Sequence, residues 1–264
     1  MSISSMVEAY VRKGFSRPVA QNLVAEEIIL RLIAESPLAE HVTLKGGIVM
    51  YNLTKNARRA TRDIDFDFIR YSIGHESIHL FFDQLNRRQN EIHLKVEGAM
   101  KDLHQQDYEG VRVNVRIEDA SGSLKLKLDI GVHKYAAIEQ RSLLFVFDGQ
   151  DPLALTVNSP EQIFAEKCIS LGRLGPVSTR YKDVYDLCYL TQFGIDAKQV
   201  RFILSAFLQN STRPPHSLEE VKTTIRKALE DPHFAREAAN PKNRWLDVDY
   251  DEAAKAILAF LKRV

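Results

Sequence analysis

In the stretch Thr61-Arg62-Asp63-Ile64-Asp65-Phe66-Asp67-Phe68, carboxylates alternate with apolar residues from Asp63 onward. A period of two is typical of a half-buried β-strand, in which successive side chains point to opposite faces. We therefore predict a strand over 64–69 with its aromatic side chains turned into the core. The three aspartates of the stretch then project together from the other face.

These three aspartates indicate a metal site. Crowded carboxylates repel one another, and a cation removes that cost. No His or Cys stands near them in the sequence, and carboxylate oxygens alone suit Mg²⁺ or Mn²⁺. The alternative is a solvated strand face whose counter-charges are nearby arginines. Those arginines are Arg58, Arg59 and Arg62.

A glycine turn precedes the acidic strand. Val42-Thr43-Leu44 reads as a short strand that runs into Gly46-Gly47, and the residues from 48 to 53 read as a helix. A glycine turn that enters a helix leaves backbone N–H groups able to hold a phosphate. Such turns also occur with no ligand, so the sequence leaves both readings open.

A further carboxylate, Asp129, lies in an alternating segment at 124–130 that predicts another strand, on which Lys125, Lys127 and Asp129 share a face. Asp129 is a candidate to complete a two-metal site for phosphoryl transfer. The alternative is an exposed strand residue paired to Lys127 or Lys134.

The remaining pattern divides the chain into an α/β part, about 1–157, and an all-helical part, about 158–264. Ser159-Pro160-Glu161 provides the cap, the proline and the acidic residue that open the first helix of the second part. Further strands are predicted at 92–96 and 111–117. The first predicted helix starts between Ser16 and Pro18 and ends near Ser36-Pro37. The other predicted helices are about 76–88, 160–172, 179–192, 196–208, 217–230 and 249–263.

Composition excludes several classes of protein. The chain has 264 residues, of which 45% are hydrophobic, and a net charge of +1. It contains no uncharged apolar run of roughly 18 to 20 residues, the length that spans a bilayer. Its two cysteines, Cys168 and Cys188, predict neither a disulfide scaffold nor a zinc site, and we expect both in helix cores. We expect a cytoplasmic protein without a secretory signal, in which any binding of nucleic acid depends on a local basic patch.

Several ordered motifs together resemble those of one family. Leu44-Lys45-Gly46-Gly47 is similar to its glycine motif, the stretch from Arg59 to Phe66 to its Arg-x-Ser/Thr-x-Asp-x-Asp motif, and Lys127-Leu128-Asp129 to its Lys-x-Asp motif. In the helical part, Glu161 to Lys167 resembles a helix with an inward lysine. Arg180-Tyr181-Lys182-Asp183-Val184-Tyr185-Asp186-Leu187 matches Arg-x-Lys-Asp-x-x-Asp-Leu at every fixed position. The family is the AbiEii/AbiGii-type, or MenT-like, nucleotidyltransferase toxins of the DNA polymerase β-like superfamily.

The resemblance implies an α+β fold, with a polymerase β-like core of mixed sheet and helices followed by the helical part. It also implies residue roles. Asp63 and Asp65 would hold Mg²⁺, with Asp129 as the third acidic ligand near the attacking hydroxyl. The residues implied to contact or neutralise the triphosphate are Gly46, Gly47, Arg59, Thr61, Lys167 and Lys182. Asp183 would act as a base or orient a lysine.

Three further acidic residues have an alternative interpretation. Asp183 and Asp186 lie three residues apart on a helix, where such residues often only decorate a solvated face. Asp67 adds a third acid to the acidic strand, and we expect its substitution to matter less than substitution of Asp65.

The implied function is transfer of a nucleoside monophosphate from an NTP to an acceptor, with the 3′ end of tRNA expected, by the toxin of a toxin–antitoxin pair. The implied partners are therefore an NTP, an RNA and a cognate antitoxin, with no membrane. Two alternatives stay open. One is a nucleotidyltransferase that modifies a small molecule such as an antibiotic. The other is a regulatory module that binds NTP without chemistry.

Overall fold

The computed structural model describes residues 2–59, 63–87, 91–103, 110–147 and 150–264. The chain forms two compact units. The first comprises Met1–Ala136 and Gln140–Val157, and the second comprises Ala137–Glu139 and Asn158–Val264. A mixed sheet with helices precedes a run of helices, so the predicted α+β class is confirmed.

The first unit is built on a seven-stranded sheet with the order β3-β4-β5-β2-β1-β7-β6. Its strands are β1 (Val42–Lys45), β2 (Asp63–Phe68), β3 (His93–Asp102), β4 (Val111–Asp119), β5 (Gly122–Val132), β6 (Arg141–Phe145) and β7 (Leu153–Val157). The sheet is mixed, because β2 pairs with β5 and β1 with β7 in parallel, whereas the other neighbours are antiparallel. The acidic strand β2 therefore lies near the middle of the sheet.

The predicted orientation of β2 is confirmed, since Phe66 and Phe68 are fully buried. Their ring centroids lie 5.6 Å apart, and the Phe68 ring lies 5.1 Å from that of Phe81. Aromatic pairs at such distances stabilise a core beyond the area they bury. The helices of this unit are α1 (Ile3–Arg12), α2 (Arg17–Ala34), α3 (Gly46–Thr54) and α4 (His75–Asn86).

The second unit consists of helices. They are α5 (Pro160–Leu174), α6 (Lys182–Phe193), α7 (Ala197–Gln209), α8 (Leu218–Glu230), α9 (Pro232–Ala239) and α10 (Tyr250–Leu261). Helix α5 begins as predicted, because the Ser159 hydroxyl accepts a hydrogen bond of 3.1 Å from the Gln162 backbone N–H. Phe164 packs against Phe260 in its core, with centroids 4.9 Å apart. Cys168 and Cys188 are both buried and free, as predicted.

Four elements were not predicted, namely α1, α9, β6 and β7. The strands β6 and β7 have five residues each, too few for their alternation to stand out. Strand β3 extends beyond the predicted 92–96. The prediction stopped at 96 because a register shift between Glu97 and Lys101 interrupts the alternation of apolar and polar residues. None of the helices in the described part of the chain is long and apolar enough to cross a membrane.

Candidate active site

Three of the predicted site residues meet on one face of the central sheet. Asp63 and Asp65 lie on β2, and the parallel register places Asp65 beside Asp129 of β5. Neighbouring strands are about 4.8 Å apart and directly opposed residues share a face. Asp63 is opposed by Lys127. The carboxylates of two separate motifs are thus brought together by strand pairing.

Gly46 opens helix α3 directly beside Asp65. It has a φ of +64°, a conformation that favours glycine, and a Cβ added there would lie 2.3 Å from the Asp65 Oδ2 atom. The residue before it, Lys45, makes no side-chain capping bond to the helix within the described part of the chain. Gly47 is the buried second residue of the helix. The helix N-terminus and a carboxylate are therefore in contact only because position 46 lacks a side chain.

Asp67 lies in an environment different from that of the other two aspartates of β2. It is 4% exposed, and its Oδ1 atom lies 2.5 Å from the Lys45 Nζ atom. Lys45 is the last residue of β1 and immediately precedes the glycine turn. The buried ion pair therefore ties the end of β1 to β2 next to Gly46.

Two cations of the same sheet face neutralise the carboxylates. Lys127 Nζ lies 2.8 Å from Asp63 Oδ2. Arg112 of β4 donates from Nε to Asp129 Oδ1 and from Nη2 to Asp129 Oδ2, both at 2.7 Å. The hydrogen bonds to Asp129 and the charges of Asp63 and Asp65 raise the pKa of Arg112. The alternative that paired Asp129 with Lys127 or Lys134 is wrong, because both oxygens of Asp129 are bound by Arg112 of the neighbouring strand.

The donor chemistry of this cluster fits a hard divalent cation. Asp63, Asp65 and Asp129 offer only carboxylate oxygens, the ligands that Mg²⁺ and Mn²⁺ prefer. Among the described residues, no group of three His, Cys, Asp or Glu side chains is already arranged to hold a metal. Lys127 and Arg112 are the groups with which such an ion would compete for Asp63 and Asp129.

A fourth acid near this cluster, Glu26 of α2, was not predicted. It is 2% exposed, and its Oε1 atom has no hydrogen-bond partner in the described structure. Burial, and secondarily the charge of Asp63, raises the pKa of Glu26 to about 8. The available signal was an acidic pair, Glu26-Glu27, flanked on both sides by apolar residues, 23–25 and 28–30. Glu27 accepts a hydrogen bond of 3.1 Å from the Tyr10 hydroxyl.

The helical unit holds the second set of predicted site residues in a buried ion cluster. Lys167 Nζ of α5 lies 2.6 Å from Asp183 Oδ1 and 2.7 Å from Asp186 Oδ2, both on α6. Arg180 Nε lies 2.7 Å from the other oxygen of Asp183. Asp183 is 6% exposed and Asp186 is fully buried, so the alternative of a solvated helix face is wrong.

Opposing effects act on the Asp183 carboxyl. Burial alone would raise its pKa, but the charges of Lys167 and Arg180 and their hydrogen bonds outweigh burial and hold the pKa well below its usual range. Asp183 is therefore a carboxylate that stays ionised throughout the neutral range.

The remaining predicted residues lie as follows. Lys182 is the half-buried first residue of α6. Arg59 is 7% exposed and ends a short 3₁₀ turn, Ala57–Arg59, where its backbone N–H donates to the Asn56 carbonyl at 2.8 Å. Thr61 lies outside the described residues.

The model of one protein family, described as the nucleotidyl transferase AbiEii toxin of type IV toxin–antitoxin systems, matches residues 28–261. This match defines the class of the protein as a nucleotidyltransferase. The chain belongs to the AbiEii nucleotidyltransferase toxin family, and the predicted resemblance is confirmed. It is therefore a nucleotidyltransferase, of a family that generally uses an NTP and a divalent metal and that implies an antitoxin partner.

Two crystal structures from Helicobacter pylori are similar to the chain. JHP933 is 15% identical over 94% of this chain and 92% of that chain, with a TM-score of 0.47. A candidate nucleotidyltransferase is 16% identical over 94% of this chain and 95% of that chain, also with a TM-score of 0.47. A comparison with curated protein sequences found no significant match.

Proposed function

We propose that the chain is a Mg²⁺-dependent toxin that transfers a nucleoside monophosphate from an NTP to the 3′ end of tRNA. The observation that carries the proposal is the contact of Gly46 with Asp65, which itself lies beside Asp129. The N-terminus of α3 binds the triphosphate, and the two neighbouring carboxylates bind the metal ion. Gly46 allows the two to lie close together because it has no side chain. The substrates are cytoplasmic, and we place the activity there.

Asp63, Asp65 and Asp129 hold the divalent ion in this proposal. The bound ion supplies neutralisation of triphosphate charge and polarisation of the α-phosphoryl group. Asp129 also faces the acceptor. Its carboxylate receives the proton of the acceptor hydroxyl while the hydroxyl oxygen bonds to the α-phosphorus. The bond from that phosphorus to the bridging oxygen breaks, and pyrophosphate leaves.

Phosphate binding is assigned to the residues around the glycine turn. The backbone N–H groups of Gly46 and Gly47 lie at the N-terminal, positive end of α3 and can donate hydrogen bonds to anionic oxygens. Thr61 and Arg59 keep the phosphate-contacting or bracing roles that the family motif implies. The Lys45–Asp67 ion pair supports this assignment, because it fixes the strand from which the turn departs.

In the helical unit, we propose that Asp183 orients Lys167 and does not act as a base. Asp183 accepts hydrogen bonds from both Lys167 and Arg180, and its lowered pKa makes it a weak proton acceptor. Lys167 and Lys182 keep the charge-neutralising roles that the family resemblance implies.

Expression in a bacterial host followed by mass spectrometry of total tRNA tests the proposal. We expect tRNA 3′ fragments that are heavier by one or more nucleotides in cells with the wild-type chain. Asp65→Asn should abolish the added mass, because one metal ligand loses its charge. Asp83→Asn is the matched control, since Asp83 is exposed on α4.

Two outcomes would contradict the proposal. Unchanged tRNA masses in growth-inhibited cells would show that tRNA is not the acceptor. Transfer of label from an NTP to a small molecule would show that the acceptor is that small molecule. Full activity of a folded Asp65→Asn protein would remove the metal role of Asp65.

A further inference from the structure

The sheet face that carries the catalytic carboxylates continues as a row of cations on β3, β4 and β5. Alternating burial along β4 and β5 turns their polar residues to one face. The register places Lys127 opposite Asn114, and Lys125 opposite Arg116. We call this surface the basic strand face. Its cations are Lys95, Lys101, Arg112, Arg116, Lys125 and Lys127.

The basic strand face contains a groove of about 480 Å³. The groove is lined by Glu97, Gly98, Asn114, Lys125, Leu126 and Lys127. One wall is formed where β3 departs from regular pairing after Glu97, at Gly98 with its φ of +69°. Lys127 belongs both to this groove and to the ion pair with Asp63. The groove is therefore continuous with the proposed active site.

On β3, β4 and β5, the six cations of this face outnumber its acids, which in the described register are Glu97, Glu118 and Asp129. Arg116 and Lys125 share a single acid, Glu97, which lies 3.1 Å from Lys125 Nζ. Their hydrogen bonds hold the pKa of Glu97 below its usual value. Arg112 and Lys127 are paired with Asp129 and Asp63, which we propose as metal ligands. Once a divalent ion neutralises those carboxylates, both cations are available to a further anion.

The layout of the cations suits a linear polyanion. Residues two apart on a strand lie about 6.6 Å from each other, and neighbouring strands about 4.8 Å. The four cations of β4 and β5 therefore extend over roughly 13 Å along the sheet. The Lys125 side chain is 71% exposed. Among the described residues, the lining of the groove contains no aromatic side chain for base stacking, which favours contacts to phosphates over contacts to bases.

We propose that the basic strand face binds the phosphate backbone of the RNA acceptor and leads its reactive end to Asp129. The inference rests on the proposed function in taking the acceptor to be RNA. It also explains how a chain with a net charge of only +1 binds a polyanion, because the cations are concentrated beside the site that needs them.

The test is fluorescence anisotropy of labelled bulk tRNA titrated with the full-length protein at several salt concentrations. The variant is the double substitution Arg116→Ala and Lys125→Ala. We expect about a tenfold loss of affinity, and a slope of log K against log salt that is smaller by up to about two, since each lost phosphate contact removes about 0.9. NTP binding, measured by calorimetry with Ca²⁺ in place of Mg²⁺, should be unchanged.

A matched control removes the same charge elsewhere. Lys198→Ala with Lys255→Ala deletes two exposed lysines of the helical unit and should leave both affinity and slope close to wild type. Equal loss in the control pair would overturn the inference, because the effect would then follow net charge alone. Wild-type affinity and slope in the Arg116 and Lys125 variant would overturn it as well.

A third variant tests whether removing a negative charge beside the groove strengthens tRNA binding. Asp63→Asn removes the partner of Lys127 and should strengthen tRNA binding while it abolishes nucleotide transfer. Weaker binding of tRNA by that variant would contradict the inference. If the wild type binds tRNA through this face but transfers no nucleotide to it, the proposed function is wrong and the RNA-binding role of the face is supported. If the wild type transfers nucleotide and the double variant binds tRNA normally, the RNA-binding role of the face is wrong and the proposed function is supported.

Discussion

The close approach of Gly46 to Asp65 depends on the absence of one methyl group at position 46. Gly46→Ala adds a Cβ atom 2.3 Å from Asp65 Oδ2 and also strains a backbone with a φ of +64°. We expect a loss of transfer activity of about 100-fold or more, because a carboxylate held for metal binding is displaced. Steady-state transfer of labelled NTP measures this loss.

The control for that prediction is Gly14→Ala. Gly14 has a φ of +93°, but nothing lies within 4 Å of the added Cβ atom. It therefore imposes a similar backbone cost, on the order of 1 kcal/mol, without touching the carboxylates. Comparable loss of activity in both variants would mean that backbone strain, and not the displaced Asp65, causes the defect.

Glu26 gives a residue-scale prediction for the dependence of stability on pH. Its pKa is about 8 in the folded protein, against a usual value of 4.5. Between these values the folded state holds a proton that the unfolded state has lost, so the free energy of unfolding falls as pH rises. Each pKa unit corresponds to about 1.4 kcal/mol, so the total fall reaches a few kcal/mol.

The measurement is urea unfolding of the metal-free protein, with EDTA present, from pH 5 to pH 8. Glu26→Gln keeps a neutral side chain of the same shape, and its advantage in stability over wild type should grow as pH rises. A constant difference between the two proteins across this range would show that Glu26 does not titrate there.

At the scale of elements, the join between β1 and β2 depends on the Lys45–Asp67 ion pair. Asp67→Asn removes the carboxylate that pairs with Lys45, a lysine whose side chain is 10% exposed. We expect a stability loss of about 3 kcal/mol, because removing one partner of a buried ion pair is strongly destabilising. Urea unfolding measures it.

Transfer activity per folded molecule should fall less in Asp67→Asn than in Asp65→Asn, since Asp67 is bound to Lys45 and not proposed as a metal ligand. The joint substitution of Lys45→Met and Asp67→Leu should recover much of the stability. If Asp67→Asn unfolds at the wild-type urea concentration but is inactive, Asp67 has a chemical role that this account does not give it.

Elements with a strong period or a strong cap could be predicted from the sequence, and contacts between distant elements could not. The alternation of β2 and β5 predicted that their acids face one way, because a strand's period is local. The partner of Asp129 was missed because it depends on register. A two-residue turn between Asp119 and Gly122 sets that register, and it brings Arg112 opposite Asp129. Asp119 holds the turn by accepting from the backbone N–H groups of Ser121 and Gly122.

The candidate site was likewise only partly predictable. Motif spacing identified the acids and the glycines, and the family match supports that identification. Burial decides the rest. Glu26 is an ordinary charged residue in the sequence, and its significance comes from packing that places it out of water. The motifs named Lys167 and Asp186, but the buried ion pair between them depends on how α5 packs against α6.

At the scale of the whole molecule, the family match from 28 to 261 extends through both compact units. The division into a catalytic part, 1–157, and a helical part, 158–264, stays a prediction. The net charge of +1 does not show where charges lie. The register of β2, β4 and β5 places several cations and carboxylates together on one face of the sheet.

Transfer of nucleotide to tRNA and its dependence on Asp65 can both be measured with purified protein. Wild-type and Asp65→Asn proteins are incubated with tRNA, Mg²⁺ and each of the four labelled NTPs in turn. We expect label at the tRNA 3′ end with the wild type, none with Asp65→Asn, and no change in the unfolding transition of the variant. Equal labelling by both proteins, or no labelling of tRNA by the wild type with any NTP, would contradict this expectation.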